Sequence, residues 1–412
     1  MIEFADPDLM TLIGSVTGTR TASAWRAAPA AGIRALAPGV GVASNRAAFE
    51  ALADEWQELD RRSATPSLFQ SFAWCRAVFD HHEGHGADFE PRVVTLHSRG
   101  RLVGLLPLAQ KRFGLARIAT GFGEPYQQYT DALLAPDAPK DAAARLLDGA
   151  CRLPGSDGLH LLKVRDDSAL APLLAARKAI RSNEDAAPFV DLSPFADFKA
   201  YHATVNAKTR KNMRNARNRL SRDGVLTHRV LSEPADVTAL VARAHQGREH
   251  WLEAQGLASR AFRDATFGAF SRTIAQPKDS AISVMAMSLM VDDKPIADQW
   301  GFVFNDRYYA YAATWAPEFE EASPGKLHLE EVIHACKERG VAVADFLMPA
   351  ARYKFTWASE AMPVADYAIP RSLSARLAFS LWAGRLRPIL KRAALKAPAG
   401  LRSRVAKLLL RR

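Results

Sequence analysis

The chain has 412 residues, 48% hydrophobic and 24% charged, the balance of a globular protein with room for two or three domains. No apolar run approaches the roughly 18–20 residues that would span a bilayer, and the opening MIEFADPDLM lacks the basic cluster and apolar core of a secretory signal. The formal charge is +11, yet residues 371–412 alone hold twelve Lys and Arg and no acid. The remainder is close to neutral, which argues against a general nucleic-acid binder. Cys75, Cys151 and Cys336 are too widely spaced for a zinc or disulfide framework.

Residues 1–40 are rich in Ala, Gly and Thr with little periodicity and read as a mobile leader. A helix is expected from near Asn45 through RAAFEALADEWQELDRR, where Phe49, Leu52 and Trp56 recur at helical spacing. A second fits SLFQSFAWCRAVFDHH, with Phe72, Cys75, Val78 and Phe79 on one face. Two β-rich runs then flank Ser98-Arg99-Gly100, a hairpin signal. YTDALLA reads as a strand, PKDAAARLLDGACRL as a helix and DGLHLLKV as a buried strand. Two prolines in APFVDLSPFADF interrupt the pattern and suggest a junction.

The second half repeats the order. SAISVMAMSLMV, IADQWGFVF and RYYAYAATW read as strands turned by DDKP and ND. SPGKLHLEEVIHACKER reads as a helix with Leu329, Val332, Ile333 and Cys336 on its apolar stripe and Gly340 at its C′ position, and VAVADFL as the strand that follows. Both halves therefore read helix, β-meander, helix, strand, an implied duplication of about 150 residues per lobe. The expected divisions are a leader over 1–40, an N-terminal lobe over 41–190, a C-terminal lobe over 191–370 and a basic amphipathic tail over 371–412. The class is α/β (α+β), two mixed-sheet lobes with flanking helices.

Several features carry chemistry. Ser323 is placed to cap the helix at SPGK, Pro324 suits its first position, and Gly325 lets a ligand approach the backbone. Free N–H groups at that helix start, with Lys326, make an anion site. From Lys208 to Asp223 the chain has seven basic residues and one acid. That is either a solvated helix face or a surface on which Lys208, Arg210, Lys211 and Arg214 meet an anion. By period-2 spacing Tyr309, Tyr311 and Trp315 share one face of a strand, and Asp298 lies on the preceding one. His81, His82 and His85 give no tetrahedral set, and no metal is expected. The tail has the composition of an interfacial helix on an anionic membrane.

The order meander, SPGK, helix, strand resembles the GNAT acyltransferase fold. There, the helix start holds the pyrophosphate of coenzyme A and the next strand splays to leave a notch for the thioester. Here only Gly325 stands in for the usual glycine-rich loop. Residues 345–357, DFLMPAARYKFTW, have the Asp-Phe…Tyr-Lys-x-x-Trp spacing of acetyltransferase-like proteins of the CelD/BcsL type, which are linked to cellulose and other exopolysaccharide biosynthesis. The resemblance covers roughly 45–370. That family is also similar to the Fem-type peptidyltransferases, which pair two GNAT-like lobes. Where it often has Gly and then a Gly-Asp pair, this chain has Leu347, Pro349 and Ala350.

The resemblance implies a tandem GNAT-like acyltransferase using acyl-CoA, acetyl-CoA in the first instance, on an amine or hydroxyl of a small-molecule or saccharide acceptor. Ser323, Gly325, Lys326 and Trp315 would meet the donor. Lys354, Asp345 and Tyr309, with Arg210, Lys211 and Arg214, would meet substrate, and Tyr353, Asp298 and Tyr311 are the acid–base candidates. Two alternatives stand beside it: a Fem-like transferase using aminoacyl-tRNA, and an inactive GNAT-fold component of a membrane synthase complex. A cytoplasmic protein, peripheral on the inner face of the membrane, is the expected setting.

Overall fold

The computed structural model describes residues 33–63, 67–86, 89–113, 116–255, 259–277 and 281–381. In chain order these form β1 (Arg34–Ala37), β2 (Val40–Ala43), α1 (Arg46–Glu50), α2 (Ala53–Arg62), α3 (Phe72–Gly84), β3 (Glu90–Ser98), β4 (Arg101–Phe113), β5 (Ala116–Gly121), β6 (Leu133–Leu134), α4 (Ala142–Cys151), β7 (Gly158–Arg165), α5 (Ala171–Ala176) and β8 (Ile180–Asp191). There follow α6 (Phe198–Thr204), α7 (Ala207–Leu220), β9 (Leu226–Leu231), α8 (Pro234–Gln255), α9 (Arg260–Arg263), α10 (Phe267–Ile274), β10 (Ser283–Val291), β11 (Lys294–Phe304), β12 (Arg307–Trp315), α11 (Pro324–Glu338), β13 (Val343–Asp345), β14 (Glu360–Pro370) and α12 (Leu373–Leu381).

The chain divides into two compact units. The C-terminal unit is Asp185–Ala258 with Asp264–Pro363; the N-terminal unit holds the chain up to Glu184, Ser259–Arg263, and Val364 onward. The lobe expected over 191–370 therefore ends sooner, because the last residues of β14 pair with β7, Val364 opposite Arg165 and Pro370 opposite Gly158. Residues 34–40, expected within the leader, instead enter strands: β1 and β2 pair with each other and β2 pairs with β3. Residues 1–32 and 382–412 lie outside the described residues, and with them most of the expected tail. Among the described residues, no helix is long and apolar enough to cross a membrane.

In the N-terminal unit the strands run β1-β2-β3-β4-β5-β7-β14. The Ser98–Arg101 hairpin forms as expected, with Arg99 at φ 51° and Gly100 at φ 77°, the two positive values a two-residue turn requires. The long first helix is broken: α1, capped by the Asn45 side chain on Ala48 N–H, ends before α2 begins at Ala53. Phe49 lies at the centre of this core, within 5.6 Å of the rings of Trp56, Phe72, Phe79 and Phe122.

In the C-terminal unit the order is β8-β13-β12-β11-β10-β9. Helix α11 packs with α6 and α7 on the sheet, and α8 packs with α10 on it. The apolar stripe read from the sequence is buried: Val332, Ile333 and Cys336 join Met285, Ile296, Tyr308 and Phe346 in one cluster that includes no side chain of α8 or α10. The two helix groups thus cover opposite faces. Gly340, at φ 74°, ends α11 as expected, with Val341 N–H returning to Cys336 O.

The β11–β12 ladder slips once. Trp300 faces Ala312 but Phe302 faces Tyr309, so β12 carries one extra residue. Gly301 makes room for this bulge: a Cβ there would stand 2.0 Å from the carbonyl oxygen of Tyr309. We expect Gly301→Ala to cost about 2 kcal/mol or more in denaturant unfolding, the scale of an overpacked core; an unchanged midpoint would show that the bulge relaxes freely.

Candidate active site

The bulge lies where β12 leaves its other neighbour. Parallel pairing joins Arg307–Tyr309 to Val343–Asp345 and goes no further. Strand β12 continues six residues to Trp315, so from Ala310 onward this edge has no strand partner among the described residues. A short antiparallel pairing ties β13 to β8 on its far side. The result is a notch between two diverging strands, with unpaired backbone along one wall.

Residues 345–357 build the other wall. Asp345 is buried, accepts from Leu347 N–H at 2.9 Å and pairs with Arg307 at 3.1 Å. Leu347 holds φ 57°, a left-handed conformation in which a glycine costs nothing. Lys354 is buried as well, and its ammonium donates to Leu347 O and Pro349 O, each at 2.8 Å. The Asp and Lys expected to touch substrate therefore hold the turn that follows β13. Trp357 Nε1 donates to Lys326 O, and Tyr201 OH donates to Trp357 O, which docks the segment on the first turn of α11. Ala350 N–H donates to Asp185 Oδ1 at 3.2 Å. A carboxylate thus reaches the turn from β8.

The start of α11 differs from expectation in one respect. Ser323 sits at φ 54° and its side chain makes no capping bond, so it does not serve as the expected cap. Its backbone carbonyl accepts from Lys326 and Leu327 N–H instead. Pro324 has no N–H, so Gly325 supplies the open first-turn amide, uncapped by any side chain among the described residues, at the positive end of the helix dipole. Trp315 lies against Gly325, with ring atoms 3.6 Å from where a Cβ would stand. Beside this turn is an open cleft of about 320 Å³ lined by Thr209, Asn212, Met213, Lys326, Arg352, Phe355 and Thr356. Three stretches that were separate in the sequence, the basic helix, SPGK and the Tyr-Lys segment, meet there. Phe355 is 45% exposed, an aromatic face open to the cleft side of the segment.

The other candidates fare differently. Asp298 is buried in a two-point ion pair with Arg243, at 2.8 and 3.1 Å, and also accepts from Ser288 Oγ. It does not face solvent, and both oxygens are engaged. Tyr309 is buried. Tyr311 turns toward Trp300, Phe302 and Phe267, whereas Trp315 packs on the α11 side. The bulge breaks the alternation that would have put them on one face. Arg210 donates to His202 O and Ala203 O and closes the end of α6. Lys211 and Arg214 are exposed. Arg217, not singled out from the sequence, pairs with Glu330 and Glu331 and fastens α7 to α11.

Tyr353 is 38% exposed, yet dense surroundings push its phenol up, while the Arg248 guanidinium pulls it the other way. Burial in turn lowers Arg248. Sequence reading missed Asp185 and Arg248, which stand in no motif, and Arg352 and Phe355, which fill variable positions of the 345–357 stretch; their roles depend on long-range packing.

The N-terminal unit has a parallel pair of the same kind, Ile118–Thr120 with Gly158–His160. Its strand end is plugged. The Gln127 carboxamide accepts from Gly123 N–H at 2.7 Å and donates to Thr130 Oγ1 at 2.7 Å. A Cβ on Gly121 would stand 1.9 Å from its Nε2. The notch in the C-terminal unit has no such plug among the described residues.

Residues 207–355 match the family model for an acetyltransferase (GNAT) domain. The matched segment holds the bulged strand, the start of α11 and the Tyr-Lys turn, and it supports an acyltransferase of the GNAT type. In fold the chain is similar to FemX, at TM-score 0.53 and 12% identity over 80% of this chain and 98% of that one. A tandem GNAT protein from the clavulanic acid biosynthesis pathway aligns at TM-score 0.46 and 14% identity, over 81% and 99%. The L-PGS structure from Bacillus licheniformis aligns at 0.42 and 13%, over 76% and 97%. No curated protein matches the chain in sequence.

The Asp298 geometry gives a test. Asp298→Ala strands Arg243, whose side chain is 40% exposed, so the loss should fall at the low end for a broken buried pair, about 3 kcal/mol. Coenzyme A affinity should be unchanged by calorimetry. A variant with wild-type melting but no acyl transfer would return Asp298 to the chemistry.

Proposed function

We propose that the C-terminal unit transfers an acyl group, acetyl in the simplest case, from its coenzyme A thioester to an amine or hydroxyl of a saccharide or cell-envelope acceptor. The observation that carries this reading is the parting of β12 from β13 after Tyr309 and Asp345, with the end of β12 against Gly325 at the start of α11. The cleft beside that turn suits a polyanion: it offers Lys326, Arg352 and the dipole end of a 15-residue helix. The CelD/BcsL-type resemblance supplies the acceptor class.

In the reaction the acceptor nitrogen or oxygen attacks the thioester carbon. The new C–N or C–O bond forms as C–S breaks, the acceptor gives up one proton, and the thiolate takes one. Unpaired N–H groups of β12 beyond Tyr309 are suited to hold the carbonyl oxygen as charge develops on it. Asp298 and Asp345 are committed to ion pairs, which leaves Asp185 as the carboxylate for the acceptor proton. Its Oδ1 is held by Ala186 and Ala350 N–H, and its Oδ2 has no partner among the described residues. Tyr353, held protonated beyond the ordinary tyrosine range, suits the thiolate proton.

The tRNA-dependent reading has one observation in its favour. Lys208, Lys211 and Arg214 are exposed on α7 and take no acidic partner among the described residues. One titration separates the readings. Acetyl-CoA should bind at micromolar affinity, and Lys326→Ala with Arg352→Ala should weaken it about tenfold or more, with a steeper loss at low salt. Absence of acetyl-CoA binding alongside salt-dependent tRNA binding would favour the alternative.

Asp185→Asn should lower kcat about 100-fold, within the usual range for a general base, and leave acetyl-CoA affinity unchanged. Equal turnover by the variant would remove Asp185 from the chemistry.

A further inference from the structure

Helix α8 meets β12 closely on the face opposite α11. Gly247 touches Thr314 so tightly that a Cβ would stand 2.0 Å from its Oγ1. The next residue, Arg248, therefore lies level with the stretch of β12 that has lost its strand partner. Its guanidinium stacks on Trp251, 4.3 Å from the ring centroid. Tyr353, on the segment leaving β13, is near enough for the two groups to influence each other electrostatically.

Arg248 is built like a receptor for an anion. Among the described residues no Asp or Glu pairs with it, whereas three other partly buried arginines of the unit have carboxylates, Arg243 with Asp298, Arg307 with Asp345 and Arg217 with Glu330 and Glu331, and a fourth, Arg210, has two backbone carbonyls. The Tyr353 hydroxyl beside it likewise makes no hydrogen bond to a described residue. Both side chains remain reachable by solvent while protein crowds them, the situation of groups on the wall of a concave site. Trp251 fixes the plane of the guanidinium, so its fork is preorganised for two parallel bonds. The cation lies across the sheet from Lys326, so it does not serve the donor's phosphates.

We infer that Arg248 selects the acceptor, binding a carboxylate or phosphate that the acceptor carries beside its nucleophilic amine or hydroxyl. This rests on the acyltransferase reading for its setting, but not for its test. Three sugars share one ring and one amine: glucosamine, glucosamine 6-phosphate and 2-amino-2-deoxyglucuronic acid, with a hydroxyl, a phosphate or a carboxylate at the sixth carbon. Calorimetry on the full chain without any thioester should find at least one charged sugar binding tenfold or more tighter than glucosamine, the scale of one charge-assisted contact. Which of the two binds better assigns the anion. Arg248→Gln should erase the difference, and Arg248→Lys should keep part of it, both at wild-type melting temperature and with acetyl-CoA affinity unchanged. In turnover the loss should appear in KM for the charged sugar more than in kcat. Equal binding of the three sugars by the wild type, or a preference that survives Arg248→Gln, overturns the assignment. Failure of acetyl-CoA to bind would strike the acyltransferase reading alone, since the sugar titration contains no thioester.

Discussion

The Lys354 ammonium is buried and donates to the carbonyl oxygens of Leu347 and Pro349. A buried cation is costly unless its donors are met, so the carbonyls of the turn after β13 are fixed by its needs. Asp345 secures the same turn from its start through Leu347 N–H and is itself held by Arg307. Between them they stop β13 after three residues and send the chain away from β12. Had the turn continued as strand, β12 would be paired to its end and no notch would exist. Leu347 accepts a left-handed backbone for this, at a cost of about 1–2 kcal/mol, offset in part by burial of its side chain. The glycine common in the CelD/BcsL-type pattern at that position would meet the same demand without strain. The departure at Leu347 therefore leaves the geometry in place.

The bulge in β12 acts with that turn. It falls between Tyr309 and Ala312, the point at which β13 is lost. A slip of one residue also redistributes side chains, sending Tyr311 toward α10 and leaving Tyr308 in the core under α11. The two faces of the unit then differ in chemistry. One offers Lys326, Arg352 and a helix start; the other offers Arg248 against an indole. In the proposed reaction donor and acceptor enter from opposite faces and meet where backbone N–H groups are unpaired.

Much of this order was legible in the sequence. The meander, α11 and its cap at Gly340 follow from period-2 runs, a 3.6-residue stripe and one glycine, all local signals. The tail of the motif was legible as a site but not in its roles. Asp345 and Lys354 have the residue types of ligands, and nothing local says that their partners are Arg307 and two carbonyls a few residues away. Asp298 shows the same limit, since its partner Arg243 is 55 residues distant. Ser323 was misread because Ser-Pro before a helix usually marks a cap, whereas the preceding 3₁₀ turn forces it to φ 54°. Period-2 reasoning failed on Tyr311 because a bulge is set by the neighbouring strand, here by Gly301.

The two units show why a repeated order of elements need not mean two sites. Each has a three-residue parallel pairing that spans a helix: β12 with β13 across α11, and β5 with β7 across β6 and α4. In the C-terminal unit only a 3₁₀ turn separates β12 from α11, so the helix start lies against the strand end. In the N-terminal unit twenty residues intervene between β5 and α4, and they fold back over the strand end with Gln127 satisfied by its own loop. Gly121 permits that close approach, since a Cβ there would stand 1.9 Å from Gln127 Nε2, while a Cβ on Gly123 would meet Trp74 Nε1 at 2.6 Å. A polar plug with its hydrogen bonds met is stable. Of the two parallel-paired strand ends, one is filled and the other is open among the described residues. The proposed site lies in the unit where the connection from strand to helix is short.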